Sequence, residues 1–282
     1  MHSQRLLFVP SALSYSKEFN FDVGTAGSTG LIAQTMLVPA LFLPNAPAKV
    51  ALRGGTHVPM APTSDYIERV YLPLLRRMGA EIEFSSPRAG FFPKGGGEIE
   101  FQAAGGLMSP INLIERGRLT GLKVVTTTSL LPEHVAERGE AALSKDLRGY
   151  GVPVDFERCD LKSTGAGAAI LVVAECENGI AGFSSLGERG KPMEGVAAGA
   201  LKAFQKWFAS GYATDEHLAD QLVLPCALIP QESVWNTSEV TEHLRTVLFV
   251  AKQFLPRMKY ELSENPDGSG TVRLTGEPNS NF

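Results

Sequence analysis

The chain has 282 residues, of which 44% are hydrophobic and 20% charged, and its formal net charge is −4. Such a chain can bury a large core, and its charge excludes nucleic-acid binding through an overall excess of lysine and arginine. Three scattered cysteines predict neither a disulfide framework nor a zinc site, and no apolar run reaches the roughly 20 residues of a membrane span. We therefore expect a soluble, cytoplasmic protein without a membrane partner.

The first part of the chain is predicted to alternate helices with short strands. In chain order the elements are a helix at Ser28–Phe42, a strand at Lys49–Arg53, an amphipathic helix at Asp65–Met78, and a hairpin of Glu81–Ser85 and Glu98–Phe101. Ahead of them, Arg5–Pro10 and Glu18–Val23 resemble the closing hairpin of an earlier unit. The chain is therefore predicted to begin within a unit.

The middle of the chain has a different pattern and is predicted to form an inserted α/β domain. Its elements are strands at Leu122–Thr128, Ala168–Glu175 and Ile180–Leu186, and helices at Glu133–Tyr150 and Met193–Ser210.

The order of the first part recurs at the end of the chain. It gives a helix from about Asp215, a strand at Ser233–Trp235, a helix at Glu242–Phe254, and a hairpin of Met258–Leu262 and Thr271–Leu274. This order indicates an internal repeat of roughly 60 to 70 residues, although chance similarity is the alternative. The predicted fold class is α+β, with repeated helix and four-stranded-sheet units of βαβαββ type. Residues 1–116 and 212–282 form the large domain and residues 117–211 the inserted one.

Two histidines stand at predicted helix starts. His243 lies in the first turn of the last helix, where the helix dipole disfavours a protonated imidazole and free backbone amides can hold a phosphate; it is either a nucleophile or a histidine packed at a helix end. His217 begins a helix with Asp220 and Gln221 one turn later, so its ring could stack on a base while they bind the base edge. A simple helix start is the alternative there.

Other candidate residues lie in loops, apart from His134 at the start of the inserted domain's first helix. The run Gly24–Gly30 could cradle an anion or could only turn the chain into a helix. His57 could be a ligand or part of a turn, and His134 is interpreted as a surface residue. Lys94, in a glycine-rich hairpin turn, is a possible phosphate contact.

Several stretches together are similar to the RNA 3'-terminal phosphate cyclase family, and the resemblance covers the chain from Arg5 to about Leu274. They are Asp22–Leu41 (DVGTAGSTGLIAQTMLVPAL), Arg53–Gly79 (RGGTHVPMAPTSDYIERVYLPLLRRMG), Gly90–Glu98 (GFFPKGGGE), His217–Leu228 (HLADQLVLPCAL) and Thr241–Phe254 (TEHLRTVLFVAKQF).

This resemblance implies an ATP-dependent enzyme in which His243 takes up AMP and passes it to an RNA 3'-phosphate, which then closes to a 2',3'-cyclic phosphate. It implies nucleotide contacts from Gln34, Pro62, His217, Leu218, Ala219, Asp220 and Gln221. It also implies Mg²⁺ or another divalent cation, for which the sequence identifies no ligands. The family's usual glycine-rich opening, with an acidic metal-site residue and arginines, is not matched, so we expect the chain to lack that segment. The resemblance therefore leaves open whether this shortened chain is active.

Two other functions remain open from the sequence. One is a non-catalytic or truncated cyclase-like protein that binds RNA or ribosome-assembly factors, against which His243 counts. The other is an enolpyruvyl transferase-like enzyme, which has similar repeated units but would leave His243 unexplained. The sequence does not predict the oligomeric state.

Overall fold

A computed structural model describes residues 7, 9, 17–42, 47–104 and 108–277. Within these residues, two copies of one βαβαββ unit form a large domain, and a smaller α/β domain is inserted into the second copy. The predicted α+β class and the predicted repeat are therefore confirmed. None of the described helices is long and apolar enough to cross a membrane.

The first unit runs from the first strand to the fourth. Its elements are β1 (Glu18–Asp22), α1 (Thr29–Phe42), β2 (Ala48–Gly54), α2 (Ser64–Tyr66), a π-helical turn (Ile67–Tyr71), α3 (Leu72–Arg77), β3 (Glu81–Arg88) and β4 (Gly97–Ala104). The strands lie in the order β1-β2-β4-β3, with β1 parallel to β2 and the other neighbours antiparallel. Helix α1 packs on β2 and β4, whose inward side chains are buried.

The position of β1 corrects one sequence prediction. Glu18–Val23 was assigned to the end of an earlier unit, whereas β1 pairs in parallel with β2 and so opens the unit that follows. An alternating pattern identifies a strand but not the direction of its partner, which tertiary packing decides. Of the proposed partner Arg5–Pro10, only Leu7 and Val9 lie among the described residues.

The inserted domain separates the first strand of the second unit from that unit's helices. After β5 (Asn112–Leu113) come β6 (Leu119–Ser129), α4 (Glu133–Arg148), β7 (Val154–Asp160), β8 (Gly167–Cys176), β9 (Ile180–Leu186) and α5 (Met193–Ser210). The sheet order is β7-β6-β8-β9. Strand β7 was not predicted, because it is an edge strand whose charged residues interrupt the apolar alternation. This separate sheet supports the proposed boundaries at 117 and 211.

The second unit then resumes. Its remaining elements are α6 (Glu216–Gln221), α7 (Val223–Ala227), β10 (Glu232–Thr237), α8 (Glu242–Phe254), β11 (Lys259–Glu264) and β12 (Gly270–Thr275). The order β11-β12-β10-β5, with β10 parallel to β5, repeats the topology of the first unit.

The inserted sheet is buried on both faces, which fixes it to the large domain. Along β8, Ile170 and Val172 face the core under α4 and α5, whereas Leu171 and Val173 belong to the core of the large domain. At the junction a Cβ on Gly182 would lie only 2.5 Å from Cγ2 of Val70 in the π-helical turn. A side chain at this position would therefore push the two domains apart.

A buried carboxylate also crosses the junction. Asp65 in α2 accepts a hydrogen bond from Nε2 of His57 at 2.9 Å and one from Oγ1 of Thr127, in β6, at 2.6 Å. Burial alone would raise the pKa of Asp65, but attraction to His57 and the two hydrogen bonds outweigh it and hold the pKa below its usual value. The ionised carboxylate is thus stabilised by partners from both domains.

We expect Thr127→Val to lower the free energy of unfolding by about 2 kcal/mol, because it removes a hydroxyl donor from a buried carboxylate. Thr126→Val is the matched control, since the neighbouring Thr126 hydroxyl is buried without a hydrogen-bond partner and its loss should leave stability unchanged or higher. Chemical denaturation measures both. Equal losses in the two variants would show that the Asp65 network does not hold the domains together.

Candidate functional site

Helix α6 begins at a buried aspartate that organises its first turn. The side chain of Asp215 accepts hydrogen bonds from the backbone amides of His217 at 3.0 Å and Leu218 at 2.9 Å, as an N-cap does. It also accepts from the Tyr66 hydroxyl at 2.9 Å and the Gly182 amide at 3.1 Å. The start of α6 is thereby tied to the first unit and to the inserted domain.

Helix α8 begins beside α6 and exposes His243. Thr241 caps the helix by accepting a hydrogen bond from the amide of Leu244 at 3.1 Å. Leu244 is fully buried, whereas His243 one residue earlier is exposed. The two helices pack against each other. The histidine is thus a solvent-accessible side chain on the first turn, not one packed in the core.

Asp220 connects the two candidate histidines electrostatically. Burial raises the pKa of its carboxyl to about 6, although attraction to His217 and His243 lowers it and repulsion from Asp215 raises it. Charges perturb one another this way only at short range. His217, Asp220 and His243 therefore form one local group, with side chains from both helices.

Two buried amide atoms at predicted nucleotide contacts lack hydrogen-bond partners. They are Nε2 of Gln34 in α1 and Oε1 of Gln221 at the end of α6. Buried polar atoms normally have a partner, so an unpaired donor and an unpaired acceptor are suited to a ligand that presents both functions. Adenine has an acceptor at N1 and a donor at N6.

In the folded chain Pro62 lies against the first turn of α1, close to Gln34. A Cβ on Gly30 would be 2.3 Å from the Pro62 carbonyl oxygen, and Gln34 follows Gly30 by one helical turn. Pro62 is also close in sequence to Tyr66, which reaches Asp215, while the Tyr71 hydroxyl donates to the Gln221 carbonyl at 3.4 Å. The helix from Ser64 to Arg77 therefore bridges the predicted contacts of the first unit and those on α6.

Leu218 and Ala219 have a different environment from the other predicted contacts. Both side chains are fully buried in the core, and the Ala219 carbonyl accepts a hydrogen bond from Nε1 of Trp235 at 3.1 Å. The two residues anchor α6 and so set the positions of His217 and Asp220. That they touch a nucleotide stays a prediction.

The glycine-rich run before α1, His57 and His134 lie apart from this group. The amide of Thr29 at the start of α1 donates to the Gly55 carbonyl at 2.9 Å, and the Leu31 amide donates to Oγ of Ser28 at 3.1 Å. These two amides are therefore occupied within the protein, and an anion-binding role for the run Gly24–Gly30 stays a prediction. His57 is buried in the Asp65 network, and His134 is exposed, as expected of a surface residue.

The sequence places Asp215 only at a predicted helix start and gives no separate signal for Tyr66. The cap could be found from the aspartate before a helix start, but its long-range partners could not, because Tyr66 lies 149 positions away. Among the described residues, no group of three or more histidine, cysteine, aspartate or glutamate residues could hold a metal ion. The surface cavity across β1 to β4 contains none of the candidate residues.

Comparison with known proteins identifies related sequences along most of the chain. A sequence model of the RNA 3'-terminal phosphate cyclase family matches residues 1–260. A protein named RNA 3'-terminal phosphate cyclase from Methylococcus capsulatus is 41% identical, over 98% of this chain and 78% of the relative. Proteins of the same name from Nostoc punctiforme and Pyrobaculum neutrophilum are 39% and 38% identical, over 89% and 92% of this chain and 74% and 75% of the relatives.

We expect the Asp220 carboxyl to titrate near pH 6 and its pKa to rise in His243→Gln, because the attraction from the imidazole is lost. Carbon-13 NMR of the labelled side-chain carboxyl measures this. His134→Gln, which changes an exposed histidine of the inserted domain, should leave the titration unchanged. An unaltered Asp220 titration in His243→Gln would show that the two side chains are not neighbours.

Proposed function

The chain belongs to the RNA 3'-terminal phosphate cyclase family, and from that premise we propose that it converts an RNA 3'-phosphate to a 2',3'-cyclic phosphate through AMP carried on His243. The observation that carries this proposal is the exposed His243 at the start of α8, grouped with Asp220 and His217 on α6. A nucleophile needs an accessible ring nitrogen and a neighbour that stabilises its charge as it reacts.

In the first step a ring nitrogen of His243 attacks the α-phosphorus of ATP. A phosphorus–nitrogen bond forms, the bond to the bridging oxygen breaks, and pyrophosphate leaves with the bonding electrons. The ring becomes positively charged as it is phosphorylated, and the ionised Asp220 carboxylate stabilises that charge. Asp220 is mostly ionised at neutral pH because its pKa is about 6.

In the next two steps AMP moves to the RNA and is then displaced. An oxygen of the RNA 3'-phosphate attacks the adenylate phosphorus, the phosphorus–nitrogen bond breaks, and the His243 nitrogen recovers its electron pair. The neighbouring 2'-hydroxyl then attacks the RNA phosphorus and loses its proton, and AMP leaves. An oxygen of the free RNA 3'-phosphate is a poor leaving group. Its attachment to AMP provides a good leaving group for the attack of the 2'-hydroxyl.

The nucleotide would be held between the two units of the large domain. His217, whose side chain is 70% exposed, would stack on one face of the adenine, and Pro62 would cover the other. The unpaired amide atoms of Gln34 and Gln221 would bind its edge. Leu218 and Ala219 would support this site through the packing of α6.

Mg²⁺ would accompany the triphosphate. This ion is commonly bound through phosphate oxygens and water with few protein ligands, which is compatible with the lack of a metal-ligand cluster among the described residues. When bound, the ion supplies neutralisation of phosphate charge during transfer. We further propose a cytoplasmic location, which the free thiols of Cys159, Cys176 and Cys226 support.

The two alternative functions are less well supported. An enolpyruvyl transferase has no use for the group formed by His217, Asp220 and His243, and the matched relatives are named as cyclases. A purely RNA-binding relative would keep the fold without needing an accessible nucleophile. The labelling experiment below separates it from the enzyme.

We expect incubation with ATP labelled at the α-phosphate to give a protein adduct that is acid-labile and alkali-stable, and that is absent in His243→Ala. His134→Ala, also an exposed histidine, should label like the original protein. Gel autoradiography after acid or alkali treatment measures the adduct. Labelling that persists in His243→Ala would assign the nucleophile to another residue, and no labelling of the original chain would favour the binding protein.

We expect Gln34→Met to raise the KM for ATP in the labelling reaction by about tenfold, because one base-edge hydrogen bond is lost. Folding stability should hardly change, since Nε2 of Gln34 has no protein partner to lose. Gln253→Met, on the exposed side of α8, is the control. An unchanged KM in Gln34→Met would remove Gln34 from the nucleotide site.

A further inference from the structure

Three large apolar side chains are exposed on loops where the two domains meet. Met60 is 99% exposed, Phe92 69% and Leu130 67%. Most of the surface of each side chain is therefore not buried and does not stabilise the fold. Apolar side chains gathered on a surface commonly mark a binding site.

Two of these residues have an unfavourable backbone conformation. Met60 and Leu130 have φ angles of 59° and 53°, and they are the non-glycine residues with positive φ in the described part of the chain. Bulky side chains rarely adopt this conformation. Neither the exposure nor the backbone favours folding, and strain of this kind collects at functional sites.

The three residues emerge from one cluster of loops. His57, three residues before Met60, forms an isolated bridge with Phe91, and their ring centroids are 5.2 Å apart. Phe91 in turn packs on Gly167, where a Cβ would lie 2.1 Å from its Cγ, and Gly167 pairs with Ser129, the residue before Leu130. The three loops are therefore connected through contacts among His57, Phe91, Gly167 and Ser129.

This loop cluster adjoins the proposed nucleotide site and carries uncommitted positive charge. Pro62 follows Met60 by two residues. Lys94 is exposed in the loop of Phe92, and its side chain lies along Gly165, where a Cβ would be 3.1 Å from its Cδ. Lys162 is exposed in the neighbouring loop between β7 and β8, where its carbonyl accepts a hydrogen bond from the Ala89 amide at 3.0 Å. Neither lysine forms an ion pair within the described residues. Free lysines beside an exposed aromatic ring suit a single-stranded nucleic acid, whose bases stack while its phosphates pair with cations.

We propose that Met60, Phe92 and Leu130 form a stacking platform for the unpaired bases upstream of the RNA 3' end, with Lys94 and Lys162 contacting the backbone phosphates. This inference rests on the proposed function, because an RNA end that reaches His243 must pass beside the nucleotide. The platform selects unpaired RNA over a duplex end, whose bases are already stacked. It does not depend on base identity, since every base has a face to stack.

The test uses the variant Met60→Gly/Phe92→Ala/Leu130→Gly and a fluorescent ten-nucleotide RNA with a 3'-phosphate, unpaired or annealed to its complement. Fluorescence anisotropy without ATP should show unpaired RNA bound at least tenfold more weakly by the variant and the preference over duplex lost. Folding stability should not fall, because glycine accepts a positive φ freely. The single variant Phe92→Trp should keep the binding of unpaired RNA, because tryptophan also stacks on bases. Phe254→Ala, which removes a phenylalanine that is 71% exposed at the far end of α8, should not alter binding.

The adenylylation of His243 by ATP alone is measured in parallel and should be unchanged in the variant. Unaltered binding of unpaired RNA by the variant overturns the platform, whether or not His243 is labelled. Reduced self-association with unaltered RNA binding also overturns it and assigns the surface to a second copy of the chain. If the variant binds RNA more weakly and the original chain is not labelled by ATP, the platform is supported and the proposed reaction is rejected.

Discussion

The arrangement of the site depends on one buried carboxylate. Asp215 has four donors around it: the Tyr66 hydroxyl, the Gly182 amide, and the amides of His217 and Leu218. Burial raises its pKa and these hydrogen bonds oppose that rise. Because the donors come from the first unit, the inserted domain and α6, a single side chain fixes the position of α6 relative to everything around it. An unpaired carboxylate there would be costly, so the three parts are held together.

The connection between the parts explains why this interaction is needed. The inserted domain enters between β5 and α6, so the chain returns to the second unit just where the candidate site begins. A free inserted domain would leave the start of α6 attached to a mobile neighbour. Asp215 at the cap, and Asp65 with Thr127 at the other side of the junction, couple the inserted sheet to the large domain. The site can then be built on short helices, because their surroundings are rigid.

The sequence predicted the regular parts of the molecule well and the contacts between them poorly. The bounds of α8, α5 and β9 agree with the prediction, since each has clear periodicity and a clear stop. Strand β7 was missed and the parallel pairing of β1 with β2 was not foreseen, because edge strands carry weak patterns and strand pairing is decided by distant residues. His243 could be selected from its helix start, but its group with Asp220 and His217 depends on two helices that meet only in the folded chain. The partners of Asp215 were out of reach for the same reason.

The most direct test of the proposed site and nucleophile is a crystal structure of the chain after incubation with ATP. The account requires the AMP phosphorus bonded to a ring nitrogen of His243, and the adenine between His217 and Pro62 with its edge at Gln34 and Gln221. A nucleotide bound elsewhere, with His243 unmodified and the space between α6 and α1 empty, would contradict it.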